Sequence, residues 1–476
     1  MIERMFDTLL NAERRRAAAA LDAMHAASRQ ENAAGAARLS AIADLYELRS
    51  PEDDVDKLNW VIDGYSGLVA EVAAAQGVSQ RRAKAQVKLA IALRERLPAV
   101  AAVYASGAVD RRLVGTVVAR TDLVDDPGRM AVIDAQLAAK IARWARHSGP
   151  EQQRRIDGVI ARTDPAGVRA PRPAVDNRRV DIDPRPGGMA DVWASVRAEV
   201  AAALDAALDV LADGVCRGDP RTKTQRRADA LGALALGRPL ACLCGQDDCP
   251  ATATAGGTPV AGKFVIHVIA EQATLTGDPH TPALLPAHGL VPAEQITDLV
   301  AAGATIKEIL IPLPQAESRY RPSAALAEFI GCRDLTCRFP GCDTPAEHCD
   351  VDHTIPWPAG PTHPSNLKLL CRFHHLLKTF HAGWSDIQAP DGTVVWTTPT
   401  GHSYTTTPHG AHWFPALGEP TGTPELQPPH AALGRELKMP RRTHTRTQEH
   451  AARVHAERTE NQARIDQRKE QRRSRS

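Results

Sequence analysis

The stretch from Cys337 to His375, CRFPGCDTPAEHCDVDHTIPWPAGPTHPSNLKLLCRFHH, restricts this chain more than any other part of it. Four soft or imidazole donors stand in it as two pairs, Cys337 with Cys342 and Cys371 with His374, and the loop between them is long enough to fold one pair back onto the other. That pattern suits a single tetrahedral zinc. Between and just after the pairs stand Asp352, His353, Asn366 and His375. A structural zinc takes four ligands, so Asp352, His353 and Asn366 are surplus to a plain zinc ribbon or finger. They are residue types that can bind a hydrated divalent cation, accept a proton and orient a scissile phosphate.

A phosphodiester is anionic and resists attack by another anion unless a cation shields it. Asp352 is a hard oxygen donor and His375 an imidazole donor, a set expected to hold one Mg²⁺ or Mn²⁺ with places left for water. Neighbouring side chains on a strand point to opposite faces, so one of Asp352 and His353 can face the ion and the other the attacking water. A neutral imidazole with an ordinary pKa of about 6.5 is a competent general base. The Asn366 amide can bond a backbone group and hold His353 in position. His375 directly follows His374, about 100° further round a helix, and so faces a different metal.

The rest of the chain is read against this stretch. With 476 residues, two or three domains are expected. Aromatic residues make up 4% and hydrophobic residues 43%, and the Ala, Leu and Val runs interrupted by Arg and Glu point to small-residue helix packing. The fold class expected is α+β, with a mainly α-helical region over 1–165, a mixed α/β continuation over 166–330, a metal-stabilised module over 331–400, and a Pro-rich linker with a basic disordered tail over 415–476. In the first region Ala85, Leu89, Leu93 and Leu97 recur every fourth position on one helical face, and Pro98 limits that helix. Arg82, Lys88 and Arg96 on the other face suit either phosphate contact or a solvated surface. VDNRRVDID reads as a short strand, after which Val196, Val200, Leu204, Leu208 and Leu211 form an apolar helical stripe expected in a core. Residues 293–330 read as helices and one strand, and Asp391 and Gly392 as a hairpin turn.

Nine cysteines cluster mainly at two places, which fits metal binding in a reducing cytosol better than a disulfide framework. The second place is CLCGQDDCP, where Cys242, Cys244 and Cys249 either share a second zinc or are plain thiols; a fourth ligand is not evident, with His267 in the strand-like KFVIHVIAEQ as a candidate. No secretory signal or membrane span is evident, and a cytoplasmic location is expected. The net charge of +2 gives no support for a nucleic-acid partner. From Arg441 to Ser476, however, eleven Arg or Lys stand against five Asp or Glu in a segment expected to be disordered or weakly helical, and a tail of that charge either adds non-specific affinity for nucleic acid or only solubilises.

The order DH, then N, then CxxHH resembles the HNH endonuclease family. The resemblance implies a ββα-metal fold whose hairpin carries Asp352 and His353 and whose helix carries His375. It further implies His353 as general base, Asn366 as orienting amide, and Asp352 with His375 as ligands of a catalytic Mg²⁺ or Mn²⁺. Cys337, Cys342, Cys371 and His374 would be the structural zinc set. The first pair has four intervening residues rather than the commoner two, and the fourth ligand is His, so Cys332 and Cys349 compete for a ligand place. The wider chain, through CLCGQDDCP, FVIHVIAEQATL, VPAEQI and RDLTCRFPGCDTPAEHCDVDHTIPW, resembles the mycobacterial thirteen-E-twelve repeat proteins, in which an α-rich domain precedes a C-terminal HNH module. Together these imply an endonuclease acting on DNA, with the α-rich region supplying binding, regulation or a homo-oligomer contact. The competing expectation is a non-catalytic, zinc-stabilised nucleic-acid-binding protein.

Overall fold

A computed structural model of the chain describes residues 2–49, 55–169, 178–246, 248–249, 267–276, 278, 281, 283–286, 288–301, 304–426 and 438–474. It divides into two compact units, one made of Met1–Ala170 with Glu308–Ser476 and the other of Pro171–Lys307. Among the described residues no helix is long and apolar enough to cross a membrane.

The first unit opens with α1 (Ile2–Arg49), α2 (Gly64–Gln76), α3 (Gln80–Glu95), α4 (Pro98–Ala105), α5 (Arg111–Thr121), α6 (Pro127–Trp144) and α7 (Gly149–Thr163). Their shared core holds Leu39, Val72, Val87, Leu93, Leu97, Val117, Leu137 and Ile160. Short polar caps set the helix starts: Asp63, Ser79, Asp110 and Asp126 each accept a backbone N–H from their own first turn. The α4 start is capped differently. Pro98 begins this helix, and the buried Asp134 of α6 accepts the N–H groups of Ala99 at 2.8 Å and Val100 at 2.9 Å. Leu89, Leu93 and Leu97 are buried as their spacing predicts, whereas Ala85 is exposed.

The second unit contains the hairpin β1 (Arg179–Arg185) and β2 (Met189–Ser195), then α8 (Ala198–Asp213), α9 (Lys223–Ala235), α10 (Gln272–Leu275), the hairpin β3 (Ala283–Leu285) and β4 (Gly289–Val291), and α11 (Ala293–Ala301). The strand expected in VDNRRVDID is β1, and β2 stands between it and the helix of the apolar stripe, α8. The stripe from Val196 to Leu211 is not core: Val196 and Val200 are exposed and Leu204, Leu208 and Leu211 only half-buried. Amphipathic spacing marks a face without saying that a partner covers it. In KFVIHVIAEQ, residues 263–266 lie outside those described, and the remainder forms a single bridge from Ile269 to Leu284 rather than a strand.

The first unit resumes with α12 (Ala324–Asp334), then β5 (Cys349–His353), β6 (Leu367–Cys371) and α13 (Arg372–Phe380). A meander of β7 (Ser385–Gln388), β8 (Val394–Thr397) and β9 (Ser403–Thr406) follows, then α14 (His409–Trp413). Asp391 and Gly392 do lie between β7 and β8. No strand occurs among the described residues of 293–330. A second core forms here from Phe339, Leu370, Leu377, Trp384, Val394 and Trp396, and it includes Ile62, Ala70 and Ala74 from the region of α2. Because α2 also places Leu68, Val69, Val72 and Ala73 in the first core, its apolar residues run all round it and both cores meet on it.

Part of the expected Pro-rich linker, 427–437, lies outside the described residues. Within the tail expected to be disordered or weakly helical, Arg446–Arg473 forms a helix, α15. Its capping box pairs Thr445 with Gln448, and it docks on the first helices through buried Val454 and through Asn461, whose amide donates to the carbonyls of Ala166 and Val168, both at 2.9 Å. Arg446 donates to Asp63 at 2.7 Å, Arg453 to Asp122 at 2.8 Å and Arg458 to Asp164 at 2.7 Å. The cations that suggested a free basic tail are thus partly neutralised within the chain.

Candidate metal centre

The four residues picked out by their spacing come together. One donor atom each from Cys337, Cys342, Cys371 and His374 lies within 4.8 Å of the others, and all four side chains are enclosed. His374 Nδ1 is 3.4 Å from Cys337 Sγ and 3.2 Å from Cys371 Sγ. A tetrahedral zinc with bonds of about 2.0–2.3 Å spaces its donors roughly 3.5–3.8 Å apart, so the set needs little adjustment to receive one. Three of the donors have a local reason for their place. Cys371 ends β6 and is the N-cap of α13, which puts His374 one turn along on the same side. Cys342 follows Gly341, whose φ is 73° and whose Cβ, if it had one, would stand 2.6 Å from the backbone N and O of Val78. Cys349 instead directs its thiol to the carbonyls of Thr344 and Pro345, and neither it nor Cys332 belongs to the four.

Two further observations favour a cation at this place. Mutual hydrogen bonding with Cys337 and Cys371 pulls Cys342 far below the ordinary thiol range, while burial pushes Cys337 well above it. At Cys371 the hydrogen bond with Cys337 acts downward, but the contact with Cys342 and burial outweigh it and carry the thiol to about 11. The cluster therefore supports one thiolate readily and resists the rest until positive charge is supplied. Burial also holds the His374 imidazole neutral, as a ligand must be. Beyond it, His374 Nε2 lies 2.9 Å from the Gln80 side-chain nitrogen, while the buried Gln80 Oε1 has no partner. Rotating that amide by 180° lets Oε1 accept from Nε2–H, the tautomer that leaves Nδ1 to bind metal. Phe339 stacks on the same ring at 3.8 Å.

On the neighbouring hairpin β5 and β6 pair antiparallel, with Asp352 opposite Lys368 and His353 opposite Leu367. Asp352 and His353 occupy opposite sides of β5, as alternation requires. On one side Asp352 Oδ2 accepts from Lys378 at 2.7 Å and Lys368 at 3.4 Å, and Asp352 Oδ1 stands 3.3 Å from His375 Nε2. The other nitrogen, His375 Nδ1, is 2.9 Å from Asp350 Oδ2. With Nδ1–H donating to Asp350, the Nε2 lone pair faces the Asp352 carboxylate, an arrangement that needs a proton or metal ion between the two. Donors on one divalent cation with bonds of about 2.1 Å stand roughly 3 Å apart, so Asp352 and His375 fit such an ion. Burial raises the Asp352 carboxyl, yet Lys368 and Lys378 bring it below its ordinary value and keep it ionised. Lys368 is fully buried and also pairs with Asp386 at 2.6 Å.

On the other side of β5, His353 Nε2 is 3.0 Å from Thr362 Oγ1, and that hydroxyl lies 2.6 Å from the Arg319 carbonyl. The hydroxyl has one proton and gives it to Arg319, so it accepts from His353 Nε2–H, leaving Nδ1 as the imidazole's lone-pair nitrogen. Burial lowers the pKa of His353, keeping it neutral at physiological pH. Tyr320 stacks on it at 5.4 Å. Asn366 bonds backbone only: Oδ1 accepts from Ile355 N at 2.8 Å, and Nδ2 donates to Ile355 O at 3.1 Å and Pro361 O at 2.9 Å. It ties the segment after His353 to the start of β6. Gly360 makes room for this, since a Cβ there would fall 2.1 Å from Ile355 O and 2.6 Å from Asn366 Nδ2.

Sequence reasoning assigned no role to Thr362, Asp350, Lys368, Lys378 or Asp386 near this hairpin. It also missed the fourth member of the other thiol group. Cys216 joins Cys242, Cys244 and Cys249 with donor atoms within 4.8 Å of one another, while His267, exposed, is not part of that group.

The family model for a domain of unknown function, DUF222, matches residues 26–334. Uncharacterized protein Rv3776 of Mycobacterium tuberculosis is 45% identical over 460 residues, covering 91% of this chain and 88% of the relative. Uncharacterized protein Rv2100 of the same species is 44% identical, covering 89% and 84%. No solved structure matches. A family match over well more than half of the chain, together with full-length relatives at this identity, means that the chain belongs to the DUF222 family.

Proposed function

We propose that the chain is a metal-dependent HNH-type endonuclease that hydrolyses DNA phosphodiester bonds, with its hairpin and helix braced by one structural zinc. The observation that carries the reading is the pairing of Asp352 Oδ1 with His375 Nε2 at 3.3 Å, on a hairpin whose next residue is a neutral His353. Asp352 and His375 would hold a Mg²⁺ or Mn²⁺, which when bound shields the phosphate and stabilises the leaving oxygen. His353 Nδ1 takes the proton from the attacking water, and the Nε2–H bond to Thr362 fixes the ring while it does so. Asn366 holds the backbone beyond His353 in the shape that presents it. Cys337, Cys342, Cys371 and His374 would hold the zinc.

The test is nicking of supercoiled plasmid by full-length protein with Mg²⁺, with Mn²⁺ and without metal, comparing the parent with His353→Ala. Cleavage is expected to require the divalent ion and to fall by roughly 10²-fold or more in the variant, with zinc content and thermal unfolding unchanged. A variant that nicks as fast as the parent would return the module to a zinc-stabilised nucleic-acid-binding role.

A further inference from the structure

We infer that Cys216, Cys242, Cys244 and Cys249 form a second metal site, a closed tetrathiolate zinc that holds together the α8–α9 part of the 171–307 unit. The four sulfurs lie within 4.8 Å of one another, and Cys216 Sγ is 3.6 Å from Cys242 Sγ. A tetrahedral zinc with Zn–S bonds of about 2.3 Å places its sulfurs about 3.8 Å apart, whereas a disulfide needs about 2.05 Å. Four sulfurs this close enclose a single ion and leave it no open position, which marks a structural site for a soft or borderline metal and not one for Mg²⁺ or Ca²⁺.

The scaffold around the sulfurs is built on both sides. Cys216 lies in the turn between α8 and α9, and the other three follow α9, so one ion would clasp the two ends of α9 together. Buried Asp219 spans the same gap: it accepts from Leu243 N at 2.9 Å and from Arg221 N at 3.0 Å. Arg221 in turn donates to Asp219 Oδ2 and to the Ala241 carbonyl, both at 2.7 Å. The apolar packing here is thin. The buried hydrophobic residues of this part are Ala212, Val215, Ala230, Ala233 and Cys249, while Val200, Val210, Leu234, Leu236 and Leu243 stand exposed. A helix pair that buries mostly alanines lacks the apolar area that normally orders a unit of this size, and a structural metal supplies the missing constraint. This site does not depend on the endonuclease reading.

The experiment is metal analysis of the reduced full-length chain after dialysis against metal-free buffer, for the parent, Cys216→Ser and Cys371→Ala. About two zinc ions per parent chain are expected, and about one in each variant. Hydrogen exchange on Cys216→Ser should show faster amides in α8 and α9 and unchanged amides in β5 and β6. If Cys216→Ser does not fold, the cobalt-substituted parent decides instead: the sulfur-to-cobalt absorption should fill in two steps, one for four thiolates and one for three thiolates with a nitrogen. A zinc content that Cys216→Ser leaves unchanged, cobalt uptake without a four-thiolate step, bound iron, or a disulfide between these cysteines would overturn the inference.

Discussion

The hydroxyl of Thr362 decides which nitrogen of His353 carries the proton, and two outcomes follow at the scale of single residues. Thr362→Val keeps the shape but leaves the buried Nε2–H unpaired, a loss of about 1–3 kcal/mol that also frees the ring to adopt the other tautomer. Nicking is expected to drop about tenfold, the equivalent of about 1.4 kcal/mol, with zinc content unchanged; a rate equal to the parent's would show that Thr362 does not set the tautomer. The second outcome concerns pH. An imidazole base works only when deprotonated, and burial puts the pKa of His353 below 6.5, so with His353 as the proposed base the nicking rate should rise with pH and level off before an ordinary imidazole would. A rising limb centred above pH 6.5 would assign the base elsewhere. The metal-binding and proton-accepting residue types in DVDH, N and CRFHH were legible because their chemistry is visible one residue at a time. Thr362 and Lys368 were not, since Lys368 meets Asp352 only through the antiparallel register. Cys216 was missed for the same reason, standing 26 residues before Cys242 and in a different turn.

At the scale of elements, α15 shows how a charged helix is fixed without an apolar stripe. Only Val454 and Asn461 are buried in it, so hydrophobic periodicity gave no sign of docking, although the T-x-x-Q of its capping box was a local signal for a helix start. The docking partners are carboxylates some three hundred residues earlier, and no local window contains both sides. Asp122 is the informative one. Burial acts to raise its pKa, but Arg453, Lys88 and their neighbours outweigh burial and hold it at about 2, below its ordinary 3.8. A depressed carboxylate pKa adds stability that is complete above about pH 4 and is lost as pH falls towards 2. Hydrogen exchange on α15 should therefore quicken between those values while the α5 and α6 amides stay protected. Exchange in α15 that is unchanged across that range would show that apolar contact, not charge, holds the helix.

At the scale of the whole molecule, the first unit is joined across the chain by α2, which contributes to both of its cores. The CRFPGC and CRFHH segments read from sequence as a small module that a zinc could fold alone. The structure gives that module a wall made of Ile62, Ala70 and Ala74, and the His374 imidazole meets Gln80 of α3. Several of its cations also face inward: Arg333 donates to the Pro364 and Leu367 carbonyls at 2.8 and 2.7 Å, and Arg338 to the Thr406 carbonyl at 2.7 Å. They brace loops and strands within the chain. With a zinc held by Cys337, Cys342, Cys371 and His374 as proposed, Cys371→Ala would remove one ligand and leave the others buried without an ion, and zinc binding in so small a frame is coupled to its order. If the module were self-contained, only β5, β6 and α13 would lose hydrogen-exchange protection. Because Phe339, Leu370 and Leu377 share their core with Ala70 and Ala74, the loss should reach α2 and the start of α3, and thermal unfolding should move down as one transition. The α5 to α7 packing, which touches only the first core, should keep most of its protection at low temperature. Unchanged protection in α2 of a zinc-free Cys371→Ala chain would show that the two cores are energetically independent.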